Sequence, residues 1–374
     1  MMRRSRWAGL LIHPAKTWCF LALCVLAGGL ADRVSAGESE TMSSREWGPL
    51  ALYWPATPTH DVVLMFSGAK GIEAQDALAA ERVLRQGNAV ALVDSSAILR
   101  WAKSDATACL ELAAVGQWLS QTMQQRLGLD DFRPAVLVGR GLGGWVVHSL
   151  LAQAPEGVFQ AGLSVDFVPG NPSAQPLCGV STVAADRHIA PDTRLHGAWA
   201  VADTDALSFD AARFAHQAAQ ANGQREPWLQ DGADYASLVG DFLQWVQSPS
   251  SNSKALAGLP VIEYLPKSDT HDAALENVRV LFFSGDGGWR DIDQQVGRAL
   301  AEDGLHVLGI DALRYFWRKR SPEHVAADVV ALLDAGAAGH DATKHPLKDS
   351  QEQRLVLIGY SFGANILPLV YAHL

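Results

Sequence analysis

Near the end of the chain, Gly359-Tyr360-Ser361-Phe362-Gly363 sets a hydroxyl midway between two glycines. The apolar stretch "RLVLI" precedes it and "ANILPLV" follows, so the pattern reads as strand, sharp turn and helix. That setting suits a nucleophilic serine attacking an ester carbonyl through an acyl-enzyme. Side chains at Gly359 and Gly363 would strike neighbouring backbone, and a serine opening a helix sits where free N–H groups favour negative charge. The run "SGDGGW" at 284–289, directly after another apolar stretch, supplies a second part of the same chemistry. A tetrahedral intermediate needs two N–H donors, here those of Phe362 and of Asp286 or Gly287. Gly285, Gly287 and Gly288 let the loop backbone approach a substrate carbonyl. The competing reading is a generic glycine-rich or phosphate-binding turn, although the spacing matches neither a Walker loop nor a dinucleotide fingerprint. Asp311, at the carboxyl end of the next apolar stretch, is a further candidate for substrate binding.

Three strands and the helices between them must position these groups. Residues 279–284, 306–311 and 354–359 read as strands, with an amphipathic helix from Asp291 to Ala301 that ends near Gly304. "SPEHVAADVVALLDAG" opens with Ser321 as N-cap, Pro322 at the first helical position and Glu323 in the first turn. Strands with continuous apolar cores between helices mean a buried parallel sheet, so the fold class is α/β. A Gly-x-Ser-x-Gly elbow on the third strand of such a run is the signature of an α/β-hydrolase. "LRYFWRKR" follows Asp311, with Arg314, Arg318, Lys319 and Arg320 among three aromatics. Such a stretch either meets a phosphodiester or membrane headgroup, or is a solvated loop with its aromatics packed inward.

The plan occurs twice. "VVLMFSGAKG" aligns with "VRVLFFSGDGG", placing Ser67 opposite Ser284, and Asp94 stands opposite Asp311 at the same offset of 217 residues. "AVLVGRGLGGWVVHSL" then matches "LVLIGYSFGANILPLV". Three landmarks in one order describe a tandem duplication. The reading is therefore two α/β-hydrolase-like domains with parallel sheets, at 45–247 and 261–374, joined by a Ser/Pro/Asn-rich linker at 248–260. The first copy continues with "AGLSVDF", "LHGAWAVAD" and "DYASLVGDFLQWV" and reads as complete, whereas the second is incomplete. Gly141 stands where the second copy has Ser361, and Ala69 where it has Asp286. Without the hydroxyl the first copy cannot form an acyl-enzyme, which leaves it a binding, positioning or purely architectural role.

The front of the chain looks like an export signal. Arg3, Arg4 and Arg6 form a basic region, "TWCFLALCVLAGGLA" an apolar one, and "VSA" ending at Ala36 a small-x-small cleavage site. The alternatives are an uncleaved membrane anchor and a lipoprotein through Cys24, the latter opposed by Leu23. Loss of residues 1–36 takes the charge from −10 to 25 basic against 39 acidic residues, or −14. That balance argues against nonspecific nucleic-acid binding. With 48% hydrophobic and 19% charged residues the chain reads as globular. Cys19 and Cys24 leave with the signal, so Cys109 and Cys178 are either a disulfide or two buried thiols. No metal or cofactor is expected: the two cysteines are too few for a metal site, and His340, Asp341 and His345 read as a solvated polar loop.

"FFSGDGGW", "GIDALRYFWRKRSPEHVAAD" and "LIGYSFGANILP" resemble signature blocks of the AcvB/VirJ family of exported bacterial virulence proteins. The likeness is specific over about 278–370, and the degenerate first copy resembles the longer, AcvB-like members. It implies a periplasmic α/β-hydrolase that cleaves aminoacyl-phosphatidylglycerol, lysyl or alanyl, with Ser361 as nucleophile and the substrate carbonyl beside Gly285–Gly288. It also implies a membrane lipid as partner, and links to type IV secretion proteins.

One expectation concerns what is missing. In this fold the triad runs serine, then aspartate or glutamate, then histidine. Only eleven residues follow Gly363, and His373 lies roughly 18 Å along the elbow helix from Ser361. His306 and His340 stand upstream, out of order. The sequence therefore reads as cut short at its C-terminus, with the acid and histidine beyond residue 374 and the chain as given inactive.

Overall fold

A computed structural model describes residues 39–56, 61–104, 109–170, 172–173, 175–180, 182–183, 188–191, 193–222, 227–247, 259–266, 275, 278–339 and 354–374. The expected export signal, most of the linker and the 340–346 loop lie outside the described residues. Fourteen strands are described, labelled in chain order. β1 (Ser39–Ser44), β2 (Gly48–Tyr53), β3 (Val62–Phe66), β4 (Ala89–Val93), β5 (Ala135–Arg140) and β6 (Phe159–Val165) belong to the first domain. So do the short β7 (Thr182–Val183) and β8 (His188–Ile189), then β9 (Ala198–Asp203) and β10 (Trp228–Asp231). The second domain holds β11 (Val261–Tyr264), β12 (Val278–Phe283), β13 (His306–Ile310) and β14 (Arg354–Gly359).

The first sheet runs β1-β2-β4-β3-β5-β6-β9-β10. β3, β4, β5, β6, β9 and β10 are parallel, while β1 and β2 pair antiparallel. This is an α/β sheet with helices on both faces. β3, "VVLMF", and β4, "AVALV", are buried along their whole length, as unbroken apolar strands between helix layers must be. One core face gathers Trp47, Phe66, Trp145 and Phe159, and the opposite face Met65, Val83, Tyr235 and Phe242. The domain starts earlier than the sequence boundary of 45, because β1 forms a hairpin with β2. Apart from half-buried Met42, its residues "SETMSS" are polar and mostly exposed, so no apolar pattern announced the strand.

The second sheet, β11-β13-β12-β14, repeats the β2-β4-β3-β5 portion of the first. β11 runs antiparallel to β13 as β2 does to β4, and β12 is parallel to both β13 and β14. The sheets are mostly parallel, with β1, β2 and β11 as the antiparallel members. The predicted helices fall at Asp291–Glu302, Pro322–Gly339 and Phe362–Tyr371. Ser321 Oγ accepts a hydrogen bond from the His324 N–H at 3.3 Å, the expected cap. β14 is the edge of its sheet among the described residues, and its alternate residues are exposed where those of β5 are buried.

Cys109 and Cys178 form a disulfide, with the sulfurs 2.09 Å apart. Of the two readings the sequence left open, the structure takes the bridge. It ties the segment entering helix Ala113–Arg126 to the 177–178 loop, and Gln153 reinforces it by donating to the carbonyls of Leu110 and Cys178. No helix among the described residues is long and apolar enough to cross a membrane.

Candidate active site

Ser361 stands between β14 and helix Phe362–Tyr371 with φ 52° and ψ −113°. Asp166 is the other non-glycine residue with positive φ among those described. An L side chain held there costs on the order of 1–2 kcal/mol, so the surrounding structure must impose the bend. The flanking glycines show how. A Cβ at Gly363 would lie 2.2 Å from the Phe283 carbonyl oxygen, and one at Gly359 would lie 2.5 Å from the Ala364 nitrogen. Strand and helix thus cross backbone to backbone, and the serine side chain is exposed at the carboxyl end of the sheet.

The 284–288 loop lies beside it. A Cβ at Gly285 would sit 3.5 Å from the Ser361 Cβ. Ser284 is fully buried, and its Oγ accepts the Ala312 N–H at 2.9 Å, which ties the loop to the end of β13. Gly288 has φ +86° and donates to the Gly285 carbonyl at 3.0 Å, closing a tight turn with Asp286 exposed and Gly287 half-buried. Trp289 anchors the turn from below. Its ring packs edge-on against Phe282 and occupies the space where Gly309 has no side chain. Among the described residues, the N–H groups of Asp286 and Phe362 make no internal hydrogen bond. Two backbone donors therefore remain available beside one exposed hydroxyl, which is the arrangement that stabilises an oxyanion.

Asp311 is placed differently from its sequence reading. Its carboxylate caps the short helix Ala312–Tyr315, accepting the Arg314 N–H at 3.2 Å and pairing with Arg314 Nε at 3.6 Å. A Cβ at Gly288 would come within 3.0 Å of it. Burial raises its pKa above the ordinary carboxylate value. Asp311 braces the loop instead of lying open to a ligand, as Asp94 does at Gly71 in the first copy.

The "LRYFWRKR" segment packs its aromatics inward, leaves Arg318 and Lys319 exposed, and reaches the first domain. Trp317 Nε1 donates to the Leu129 carbonyl at 2.8 Å, and its ring lies 5.4 Å from that of Phe132. Arg318 pairs with Asp130 at 3.0 Å, Arg314 Nη2 donates to the Gly157 carbonyl, and Arg320 pairs with Asp328. The segment is the seam between the two domains.

None of the described histidines of the second domain serves Ser361. His306 is buried at the amino end of β13 against Glu263 at 2.7 Å, the end opposite the elbow. His324 pairs with Asp328 and His373 with Glu323, each at 3.6 Å.

The first copy keeps the bend and fills the site. Gly141 has φ 54° and ψ −111°, nearly the values at Ser361. Ser67 is buried as Ser284 is, its Oγ accepting the Ser95 N–H at 3.1 Å. Arg140 lies over Gly68 and pairs with Glu73 at 2.6 Å and with buried Asp76 at 3.8 Å. The Arg140 guanidinium thus covers Gly68, whose counterpart Gly285 faces Ser361 in the second copy.

Residues 277–374 match the family model described as bacterial virulence protein, VirJ. The match covers the elbow, the glycine loop and the seam segment. Similar folds occur among solved structures. Esterase LipW from Mycobacterium marinum is 17% identical at a TM-score of 0.41, over 60% of this chain and 86% of that one. Thermogutta terrifontis esterase 2, phosphorylated by paraoxon, is 16% identical at 0.40, over 58% and 98%. Carboxylesterase CesB from Bacillus subtilis is 11% identical at 0.40, over 60% and 98%. Among curated proteins none matches.

Two contributors to the site were not legible in the sequence. Trp289 stands in the quoted "GGW" run, yet only its burial under Gly309 shows it to be the loop's anchor. Gln117, in helix Ala113–Arg126, touches the glycine loop from the other domain. Its one sequence signal is a polar residue in the apolar stretch "AAVGQWL".

Proposed function

We propose that this protein is an exported, periplasmic serine hydrolase whose second domain cleaves the aminoacyl ester of aminoacyl-phosphatidylglycerol. The observation that carries the reading is the strained, exposed Ser361 beside the 285–288 loop, where the Asp286 N–H is unengaged. Ser361 is the nucleophile, the N–H groups of Asp286 and Phe362 hold the oxyanion, and Gly359 and Gly363 permit the bend. The VirJ match over 277–374 supports the lipid ester as substrate through the family resemblance. A fluorophosphonate probe should label the full-length protein, and Ser361→Ala should abolish both labelling and release of the amino acid from the lipid. Labelling that persists in Ser361→Ala removes the assignment.

Asp286 is exposed at the loop tip, where its carboxylate can meet the substrate ammonium. Asp286→Asn keeps the backbone donor and removes the charge. Turnover of the lysyl lipid should then fall about fivefold more than that of a neutral ester, the scale of one exposed ion pair. Equal losses in parallel assays would refute charge recognition.

A second reading is a noncatalytic factor that binds secretion-system proteins through two hydrolase-like domains. It is favoured by Arg140 filling the first site. A protein that never labels at Ser361 while retaining its partners would support it.

A further inference from the structure

Gln117 is 6% exposed, although helix Ala113–Arg126 lies at the surface of the first domain. A buried primary amide requires partners for both its ends, since each one left unpaired costs about 1–3 kcal/mol. Both partners come from the second domain. Nε2 donates to the Gly287 carbonyl at 3.4 Å, and Oε1 accepts from Arg290 Nη2. Arg290 Nε donates to the same Gly287 carbonyl at 3.1 Å. Gln117, Gly287 and Arg290 therefore close a three-membered ring of hydrogen bonds. The peptide joining Gly287 to Gly288 is fixed at both ends, its C=O by this ring and its N–H by the Gly285 carbonyl. The unengaged N–H of Asp286 lies within the turn so fixed.

The homologous turn shows what is particular here. In the first copy Glu73 stands at the position of Arg290, and in both the N–H of this residue donates to the carboxylate three residues on, Asp76 at 2.8 Å and Asp293 at 2.9 Å. Glu73 turns to Arg140 of its own domain. The first turn is braced from within, the second from across the seam. The brace is itself anchored: the Leu112 N–H at the start of the Gln117 helix donates to Gln153 Oε1 at 3.0 Å, and Trp317 and Arg318 dock the seam a short distance on.

We propose that Gln117 is a positioning residue through which the degenerate first domain sets the oxyanion loop of the second. In this arrangement the first domain conditions its neighbour's chemistry without performing any. The role in catalysis rests on the hydrolase reading; the mechanical claim does not.

Amide hydrogen exchange on the full-length protein separates the two. Gln117→Met removes both hydrogen bonds at similar volume, and Gln117→Glu keeps the one from Arg290. Exchange in the 284–290 segment should rise about tenfold in Gln117→Met and less in Gln117→Glu, with the homologous 67–73 segment unchanged in both. If Ser361 labels in the parent protein, its maximal labelling rate should fall in the same order while the half-saturating probe concentration stays fixed. An unchanged 284–290 segment in a folded Gln117→Met protein overturns the proposal, and so does a uniform rise across both domains. A parent protein that does not label sinks the hydrolase reading and leaves the exchange result standing.

Discussion

Alanine at Gly143 is expected to unfold the first domain, although that domain has no nucleophile to position. A Cβ there would lie 2.1 Å from the Phe66 carbonyl oxygen and 2.7 Å from that of Ser67. Phe66 ends the central strand β3 and Ser67 follows it, and all of these residues are buried, so the backbone has nowhere to move. Overpacking against rigid backbone falls at the upper end of its usual range, and a loss of about 3 kcal/mol or more is expected. Gly141→Ala is the informative contrast. Gly141 has positive φ but open space around it, so alanine there carries only the backbone strain of that bend, about 1–2 kcal/mol. Denaturant titration of both variants would decide the point. Equal midpoints would mean that backbone conformation, and not close approach, holds the elbow.

Acid should destabilise the first domain through His148. This side chain is 1% exposed, stacked on Phe167 and edge-on to Trp199 and Phe214, and its Nδ1 has no partner. Burial lowers its pKa to about 3. The unfolded chain binds the proton near pH 6.5 while the folded one refuses it. The stability is therefore intact above about pH 6.5 and is lost as the pH falls towards the folded value, by about 1.4 kcal/mol per pH unit. By pH 4 the loss from this one group is about 3 kcal/mol. His148→Leu cannot titrate, so its stability should change less between pH 7 and pH 4 than that of the parent protein. Parallel pH profiles for the two would rule the histidine out.

The parts of the molecule that could be read in the sequence are those fixed by local rules. The elbow, the two glycine turns and the strands that precede them each fit within about ten residues, and backbone sterics leave few alternatives there. Duplication made them legible twice, since Ser67 and Ser284 make the same bonds in both copies. The disulfide could be posed from the sequence but not decided, because two cysteines 69 residues apart carry no geometry until the fold supplies it. Asp311 was misjudged for a related reason. Its place at a strand's carboxyl end was right, but its helix cap and its contact with Gly288 exist only in three dimensions. The seam was invisible altogether. Trp317 and Leu129 are 188 positions apart, and a tryptophan bound for another domain looks in sequence like one bound for its own core.

That seam has a consequence for descent. Once a duplicated half takes up the loop of its sibling, the two genes' worth of sequence cease to drift separately. A change at Arg290 or Gly287 is then answerable to position 117, more than a hundred and fifty residues upstream. A relative with only the later half would have to hold the same turn by other means, so replacements at position 290 should track the presence or loss of the earlier half.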